Sequence, residues 1–333
     1  MFAKARAVAD AARCGSVGAR FATLAGVSAP APIVAVVGAT ATGKSDLGVA
    51  LAQALRGEVV NADASQFYRG MDIGTAKLPI AQRGGVPHHL LDVLDVRDEA
   101  SVAAYQRDSR SVMQQIESRG RRPVLVGGSG LYGRAALDDL QIPPTEPQVR
   151  AAWEAALAAR GVAELYAELA QRDPQAAAQI LPTNGRRIVR ALEVIQLTGR
   201  RFSATMPRRQ FLRPAVMIGL RIDRPTLHDR IERRVARMWA DGLLEEVRGL
   251  DTAGIREGRT ASRAIGYAQA LAQLDGRLNQ DEAQAETAAL TRKFAKRQDS
   301  WFGADPRINW LPYDDPHLLQ RALDIVDSGG RTQ

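Results

Sequence analysis

An eight-residue glycine-rich segment places the strongest constraint on what this chain can fold into. Residues 38–45 match the pattern G-x-x-x-x-G-K-[ST] in full. The apolar run Ile33–Val37 precedes the segment and a helical pattern over Asp46–Leu55 follows it, which is the context that a phosphate-binding P-loop requires. Such a loop turns backbone N–H groups inward and adds the partial positive charge of a helix N-terminus. The segment predicts a phosphate or diphosphate site formed by Gly38, Ala39, Thr40, Ala41, Thr42, Gly43, Lys44 and Ser45.

Two side chains of this loop have distinct expected tasks. Lys44 is long enough to reach a terminal phosphate, and the hydroxyl of Ser45 is placed to hold a Mg²⁺ ion. The motif does not establish that the ligand is ATP. The predicted strand Pro123–Val126 ends without the Asp of a Walker-B strand, which argues against a conventional NTPase.

Short apolar runs alternate with helical patterns along the first half of the chain. This alternation is typical of a parallel sheet that is covered by helices on both faces. The sequence therefore predicts an α/β fold with a P-loop NTPase-like parallel sheet. The predicted strands are Ile33–Val37, Glu58–Asn61, Leu90–Val93, Pro123–Val126 and Ala215–Ile222, and the predicted helices of the first half are Asp46–Leu55 and Ser101–Arg119.

A purely helical block interrupts this pattern. Its predicted helices are Pro147–Arg160, Val162–Gln171, Pro174–Ile180 and Arg186–Thr198, and it closes at Gly199 and Pro207. We predict a helical insertion over residues 138–212, within a core made of residues 33–137 and 213–315. Two long helices are expected in the second part of the core, near Thr226–Leu250 and Asp281–Trp301. Residues 1–32 are rich in Arg and poor in acids, and we expect a poorly ordered N-terminal extension, although a transit peptide has the same composition.

Composition narrows the class of partner. The formal net charge is +8, which favours a polyanion such as a nucleic acid. The single cysteine, Cys14, cannot form an intrachain disulfide, and the apolar runs are shorter than the ~20 residues of a membrane span. Basic residues cluster in three places: Arg230, Arg233, Arg234 and Arg237; Arg186, Arg187 and Arg190; and Arg292, Lys293, Lys296 and Arg297.

Two further segments follow predicted strands. Asp63 comes directly after the second strand, at the sheet edge where the P-loop also lies, so it could accept a proton from a nucleophile near a bound phosphate ester. An N-cap or turn role for Asp63 is equally open. The segment Gly127–Tyr132 is rich in glycine and permits a ligand to approach closely. The adjacent His88 and His89 make a poor metal chelate, because neighbours on a strand face opposite ways.

These residues together resemble the tRNA dimethylallyltransferases, the family that prenylates the adenosine 3′ of the anticodon. The resemblance extends from about Pro32 to Trp310. It rests on the P-loop and on the segments Asp63–Lys77, His88–Asp92, Gly127–Tyr132, Arg190–Val194, Ala264–Tyr267 and Thr291–Arg297 followed by Trp301 and Phe302. The block Gly70–Lys77 is much more specific than the P-loop.

The resemblance implies a P-loop that binds dimethylallyl diphosphate instead of ATP, with Mg²⁺, although the family is described as ATP-binding. It implies Asp63 as the general base, Thr40 at the diphosphate and the reaction centre, and Arg234 with Arg230 at the diphosphate. It also implies that the insertion binds the anticodon stem-loop and that the enzyme is a cytoplasmic monomer without a membrane partner. The implied tRNA contacts are Asp63, Ala64, Ser65, Gln66, Ser129, Arg150, Arg186, Arg187, Ile188, Val189, Arg190, Arg263, Ala264, Ile265, Gly266, Tyr267 and Ala268.

Some positions depart from the usual pattern of the family. They are Ala64, Ser129, Gly185 and Ala268, and they put fine tRNA contacts in doubt while the expected reaction residues remain. Three alternatives stay open: a transferase acting on free adenylate, a small-molecule P-loop kinase, and a tRNA-binding protein without catalysis. The helical insertion and the basic C-terminal helix argue against the first, and the presence of Asp63 argues against the third.

Overall fold

The structure, a computed structural model, describes residues 31–205 and 209–329. Residues 1–30 of the predicted N-terminal extension lie outside the described residues, as does Pro207. The strands are β1 (Ile33–Val37), β2 (Gly57–Asn61), β3 (His88–His89), β4 (Arg122–Gly127), β5 (Ala215–Arg221) and β6 (Ile308–Pro312). The helices are α1 (Lys44–Ala54), α2 (Val102–Ser118), α3 (Gly130–Leu137), α4 (Pro147–Arg172), α5 (Pro174–Gln179), α6 (Gly185–Thr198), α7 (Arg224–Ala240), α8 (Leu243–Thr252), α9 (Tyr267–Leu274), α10 (Gln280–Gly303) and α11 (Leu318–Asp327).

The six strands form one parallel sheet in the order β3-β2-β4-β1-β5-β6. This confirms the predicted α/β class. Since β2, β4 and β1 are neighbours, the three loops that follow them meet at one edge of the sheet, outside the strand carboxyl ends. That edge is where ligands bind in open parallel sheets.

Alternate residues of β1 enter different cores because successive strand side chains point to opposite faces. Val34 and Val36 pack with α1 and α11, whereas Ile33, Ala35 and Val37 pack with α2 and α3. All five residues are buried, which agrees with a sheet covered on both sides. A third core joins helices α7 to α10.

Helices α4 to α6 build a core of their own, around residues such as Leu165, Leu169 and Leu192. Gly161, with a φ of 80°, interrupts α4 where the sequence predicts two helices. The helices nevertheless belong to the same compact unit as the sheet. The division into a core and an insertion domain therefore stays a prediction.

Two chain segments join the helical insertion to the sheet, and they lie side by side. Asp138 and Phe211 form an antiparallel bridge, and the Leu212 N–H donates to the Leu137 carbonyl at 2.9 Å. Arg307, on the segment before β6, donates to the buried Asp138 carboxylate at 2.7 Å. The base of the insertion is thus fixed to the sheet by a buried ion pair.

The predicted strand Leu90–Val93 is wrong, because β3 ends at His89. Leu90 and Asp92 have φ values of 61° and 57°, in the left-handed region that a strand does not use. The loop takes this course because the Asp92 carboxylate accepts a hydrogen bond from Lys77 at 2.5 Å.

The predicted single helix Thr226–Leu250 is also wrong. The chain turns at Gly242, whose φ of 100° suits glycine, and two helices result. Helices α3, α9 and α11 and strand β6 were not predicted from the sequence. No helix within residues 31–205 and 209–329 is both long and apolar enough to cross a lipid bilayer.

Candidate active site

A cleft of about 670 Å³ opens at the carboxyl ends of β1, β2 and β4. Its walls come from the P-loop, the segment after β2, residues 72–82, the end of β4 and one face of α7. It brings together predicted site residues that are far apart in the chain. Those that line it are Thr40, Ala41, Gly43, Lys44, Ser45, Asp63, Gln66, Arg230 and Arg234.

The P-loop has the backbone that its sequence predicts. Gly38 and Gly43 have φ values of 132° and 94°, and Ala41 adopts 62°, so the chain turns tightly before α1 begins at Lys44. The Ala39 carbonyl accepts hydrogen bonds from the Thr42 hydroxyl and from the Lys44 ammonium group. Gly38, Ala39 and Thr42 support the loop from within, while the other members face the cleft.

Helix α7 reaches the P-loop through two arginines that are one turn apart. Arg234 donates to the Thr40 hydroxyl at 3.0 Å, and Arg230 donates to the Ala41 carbonyl at 2.8 Å. The Arg230 guanidinium also lies 5.1 Å from the centroid of the Tyr313 ring. Arg230 and Arg234 therefore share one face of α7, and both line the cleft.

Asp63 both caps a short helix and faces the cleft, which are the two roles that the sequence left open. Its carboxylate accepts from the Ser65 N–H at 3.1 Å, which caps a 3-10 helix over Ala64–Phe67, and it also lines the cleft. Asn61 holds the Asp63 backbone from both sides, by hydrogen bonds of 3.0 and 3.1 Å. Within the described part of the chain, no other hydrogen bond reaches the Asp63 carboxylate. A carboxylate oriented in this way can accept a proton in the cleft.

The cleft lowers the pKa values of two of its cations, Lys44 and Arg234. Burial lowers the pKa of Lys44 to about 8, with Asp63 opposing that shift and Arg234 adding to it. Burial also lowers the pKa of Arg234, and the Asp63 carboxylate opposes the change. Lys44, Arg234 and Asp63 thus interact in a partly desolvated space, where electrostatic interactions are stronger than in water.

The interactions that form the wall at residues 72–79 were not predicted from the sequence. The Lys77 ammonium group is buried and donates to the Asp72 and Asp92 carboxylates at 2.6 and 2.5 Å, and to the Tyr68 carbonyl at 3.0 Å. The block Gly70–Lys77 and the segment His88–Asp92 are therefore one structural unit. The contact between Lys77 and Asp92 was not predicted because 15 positions separate the two residues in the chain.

Glu246 on α8 holds the same wall from behind. Its carboxylate accepts from the Ile73 N–H at 2.8 Å and from the Tyr267 hydroxyl at 2.6 Å. Gly74 lies against the Tyr267 ring, and a Cβ at Gly74 would be 2.4 Å from Cε2 of that ring. Tyr267 is fully buried, so the ring has no room to retreat.

The glycine segment after β4 is shaped by close packing. A Cβ at Gly127 would be 2.3 Å from the Ala62 carbonyl oxygen, and one at Gly130 would be 2.0 Å from Nε1 of Trp301. Ser129 accepts from the Ala64 N–H at 3.2 Å. The loops after β2 and β4 are therefore linked at the edge of the cleft.

Comparisons with known proteins agree with this geometry. The profile of the IPP transferase family matches residues 66–305. A tRNA dimethylallyltransferase of Kineococcus radiotolerans is 61% identical over 305 residues, which cover 89% of this chain and 96% of the relative. The chain belongs to the IPP transferase family. A tRNA dimethylallyltransferase of Streptomyces coelicolor is 58% identical over 302 residues, covering 90% of this chain and 97% of the relative.

Solved structures of IPP transferases share the fold. A full-length tRNA isopentenylpyrophosphate transferase from Bacillus halodurans has a TM-score of 0.66 and 39% identity, and the match covers 90% of this chain and 95% of that one. A eukaryotic dimethylallyltransferase acting on tRNA has a TM-score of 0.75 and 25% identity, over 91% of this chain and 81% of that one.

The tRNA contacts implied by the IPP transferase resemblance differ in accessibility. Arg186, Arg187 and Arg263 are exposed. Partly exposed are Asp63, Ala64, Ser65, Gln66, Ser129, Arg150, Arg190, Ala264, Ile265 and Ala268. Contact with RNA remains a prediction for all of these residues.

Four of the implied contacts need correction. Ile188 and Val189 pack inside the core of α4 to α6, and Tyr267 lies in the core of α7 to α10. Gly266, which precedes Tyr267, is buried as well. Buried side chains cannot offer surface to RNA, so these residues shape the protein beneath the predicted contacts.

Arg150 and Arg190 are held by one buried carboxylate. Glu193 accepts from Arg150 at 2.6 Å and from Arg190 at 2.8 Å. Burial raises the pKa of Glu193, but hydrogen bonds from Arg150, Thr145 and Arg190 outweigh it and lower the pKa to about 2. Arg190 also donates to the Pro143 carbonyl at 2.7 Å. The cluster ties the start of the helical insertion to α6.

Proposed function

We propose that this chain transfers a dimethylallyl group from dimethylallyl diphosphate to the exocyclic N6 amine of the adenosine 3′ of the tRNA anticodon. The observation that carries the proposal is the cleft itself, in which the phosphate-binding loop and the Asp63 carboxylate face the same space. The relatives named above are tRNA dimethylallyltransferases of nearly the same length, which supports the same substrates here.

In the proposed reaction, a bond forms between N6 and C1 of the prenyl group while the bond from C1 to the diphosphate oxygen breaks. The bonding electrons leave with the diphosphate, and Asp63 accepts a proton from the amine. Lys44, Arg230, Arg234 and the P-loop amides stabilise the negative charge that develops on the leaving group, since preorganised donors favour such departure. Thr40, fixed by Arg234, adjoins the reacting carbon.

The donors in the cleft fit a Mg²⁺ ion bound together with the diphosphate. Ser45 supplies a hydroxyl, and the adjacent Asp46 supplies a carboxylate, both on the lining of the cleft. These hard oxygen ligands suit Mg²⁺, which is usually held by few protein groups together with substrate phosphates and water. When bound, the ion would neutralise charge on the diphosphate.

The anticodon stem-loop is the proposed macromolecular partner, and the protein is proposed to engage it as a monomer. An adenine within a stacked loop must turn out of the stack before a buried reagent can reach it. The exposed Arg186, Arg187 and Arg263, and the exposed Lys293, Lys296 and Arg297 on α10, are suited to the RNA backbone. We place the reaction in the cytoplasm, because tRNA is its substrate.

The test of this function is incubation with dimethylallyl diphosphate, Mg²⁺ and bulk tRNA, followed by mass analysis of the nucleosides. We expect N6-dimethylallyl adenosine in the tRNA and release of diphosphate. Parallel reactions contain free adenylate as the acceptor, or ATP with no prenyl donor. Product from free adenylate alone, or phosphoryl transfer from ATP, would replace the proposal with one of the two rival activities.

The assignment of the base is tested by Asp63→Asn, which keeps the shape of the side chain but removes its basicity. General base catalysis contributes typically about 10²–10⁴-fold, so the single-turnover rate should fall by that order. The affinity for dimethylallyl diphosphate should change little. Asp241→Asn is the matched control, because Asp241 lines the cleft at the end of α7 and has no proposed part in the reaction. A near-normal rate for Asp63→Asn at saturating substrates would remove Asp63 from this role.

A further inference from the structure

A polar side chain of α10 contacts two loops of the site, and it lies outside the motif segments named in the sequence. Gln298 is 5% exposed, although its neighbours Arg297 and Asp299 are exposed. Its side chain lies between the P-loop and the glycine segment after β4.

The Gln298 amide makes one hydrogen bond with each of these loops. Its Oε1 accepts from the Thr40 N–H at 2.8 Å, and its Nε2 donates to the Gly128 carbonyl at 2.8 Å. Both bonds are at good length for N–H···O contacts. A side-chain amide is suited to this place because it offers a donor and an acceptor on one planar group.

The position of Gly128 is adapted to this contact. A Cβ at Gly128 would be 2.3 Å from Nε2 of Gln298, so a larger residue there would expel the amide. The glycine segment after β4 therefore accommodates a side chain of the protein itself at this point. The missing side chain at Gly128 thus leaves room for the Gln298 amide to connect the P-loop with the loop after β4.

Thr40 is consequently held from two sides. Arg234 binds its hydroxyl from α7, and Gln298 binds its N–H from α10. We propose that Gln298 is a positioning residue for the prenyl transfer, which fixes Thr40 and the P-loop relative to the loop after β4. This role rests on the proposed function, in which Thr40 adjoins the diphosphate and the reacting carbon.

The first test uses Gln298→Met, which keeps the size of the side chain and removes both hydrogen bonds. Gln106→Met on α2 is the matched control, because the Gln106 amide also makes two hydrogen bonds to the backbone, to the carbonyls of Ala135 and Leu140, and makes none to the P-loop or to Gly128. A displacement of about 1 Å in a reacting group can cost about 10²-fold in rate. We expect a loss of that order in single-turnover rate for Gln298→Met, weaker binding of inorganic diphosphate, and a tRNA dissociation constant that stays nearly unchanged. Gln106→Met should keep its rate.

The second test uses Gln298→Glu across a pH series. A protonated carboxyl can accept from Thr40 and donate to Gly128 as the amide does, whereas the ionised form cannot donate. Relative to the unsubstituted protein, the rate of Gln298→Glu should therefore rise as the pH falls. The relative rate of Gln298→Met should stay constant with pH.

Two results would overturn the proposal. One is a Gln298→Met protein with the unsubstituted rate and the unsubstituted affinity for inorganic diphosphate. The other is a rate for Gln298→Glu equal to that of Gln298→Met at every pH. A failure of the proposed function is distinguishable, because the unsubstituted protein would then form no prenylated tRNA, while the effect of Gln298→Met on inorganic diphosphate binding could still be measured.

Discussion

Lys44 contacts the P-loop backbone, and its pKa is lower than that of an ordinary lysine. Its ammonium group contacts the Ala39 carbonyl within the P-loop, and burial brings its pKa down to about 8. The proton on Lys44 is therefore bound less firmly than on a lysine in water, whose pKa is about 10.4. An anion in the cleft favours the charged form of Lys44, so binding of the anion and of the proton are linked.

This linkage predicts how diphosphate affinity depends on pH. Below a pH of about 8, Lys44 is already charged, and binding needs no added proton. Above about 8, binding must take up a proton, so the affinity of the free protein for inorganic diphosphate should fall by up to about tenfold per pH unit. Calorimetric titration from about pH 6.5 to about pH 9.5 measures the affinity on both sides of that pKa.

Lys44→Met is the control for this measurement, because diphosphate itself titrates in the same range. The affinity ratio between the two proteins isolates the contribution of Lys44. A ratio that is constant across the series would show that Lys44 keeps its proton throughout.

At the scale of elements, the sequence predicted the parts that follow local rules. The strand before the P-loop and the helix predicted over Ser101–Arg119 depend on neighbouring residues alone. The wall of the cleft depends instead on contacts such as Glu246 with Ile73, which join residues far apart in the chain. Neither periodicity nor spacing encodes such a contact. Gln298 was not predicted for the same reason, because its hydrogen-bond partners, Thr40 and Gly128, are far from it in the chain.

Gly74→Ala tests the packing behind that wall. The added methyl would overlap the fixed Tyr267 ring, so we expect a loss of about 1–3 kcal/mol of stability. Since the residues on both sides of Gly74, at 72–73 and 75–79, line the cleft, the affinity for dimethylallyl diphosphate should weaken as well. Chemical denaturation and ligand titration measure the two effects.

Gly249→Ala on α8 is the control for Gly74→Ala. Apart from the adjacent backbone of α8, no heavy atom lies within 4 Å of the position that its Cβ would occupy, and Gly249 is in an exposed part of the helix. Alanine is favoured over glycine in helices by about 0.8–1.0 kcal/mol, so this change should stabilise the protein. Equal stability losses in the two variants would show that the Tyr267 contact is not the cause.

Glu193 makes the stability of the helical insertion depend on pH. Its pKa of about 2 in the folded protein lies below the ordinary value of 4.5. The stabilisation is therefore complete above about pH 4.5 and is lost as the pH falls toward 2. A tenfold change in the acidity of the carboxyl corresponds to about 1.4 kcal/mol of stability. Glu193→Gln should destabilise the protein strongly near neutral pH and much less near the folded pKa, in urea titrations at each pH.

Glu164→Gln provides the comparison within the same insertion. Glu164 forms an exposed i,i+4 pair with Arg160, and such pairs contribute about 0.3–0.5 kcal/mol. Its effect should be small in both acidic and neutral solution. A Glu193→Gln effect that is the same in acid as at neutral pH would contradict the assigned pKa.

At the scale of the whole molecule, the excess of basic residues governs association with RNA. The net charge is +8, and Lys293, Lys296 and Arg297 are exposed on α10. Contacts between cations and phosphates release counterions, so tRNA affinity should fall steeply and linearly in a plot of log affinity against log salt. Fluorescence anisotropy across a salt series measures the slope.

Lys296→Gln should reduce the steepness of that slope by about one, as expected for the loss of one phosphate contact. Arg321→Gln is the control, because Arg321 lies on α11, outside the predicted tRNA-contacting segments, and is paired with Asp315. Equal slopes for all three proteins would indicate that α10 does not touch the RNA backbone.

The bridge between Asp138 and Phe211 affects how the sheet tolerates change in the chain between them. Strand β1 pairs with β5, so Val34 lies beside Val216 although the entire helical insertion separates them in sequence. Once the insertion is folded, its two ends lie side by side. For the pairing of β1 with β5, the insertion then acts as a short connecting loop would. The entropy of closing the loop then no longer grows with the number of residues inside. Related chains could therefore lengthen or shorten these helices while β1 and β5 keep the same register.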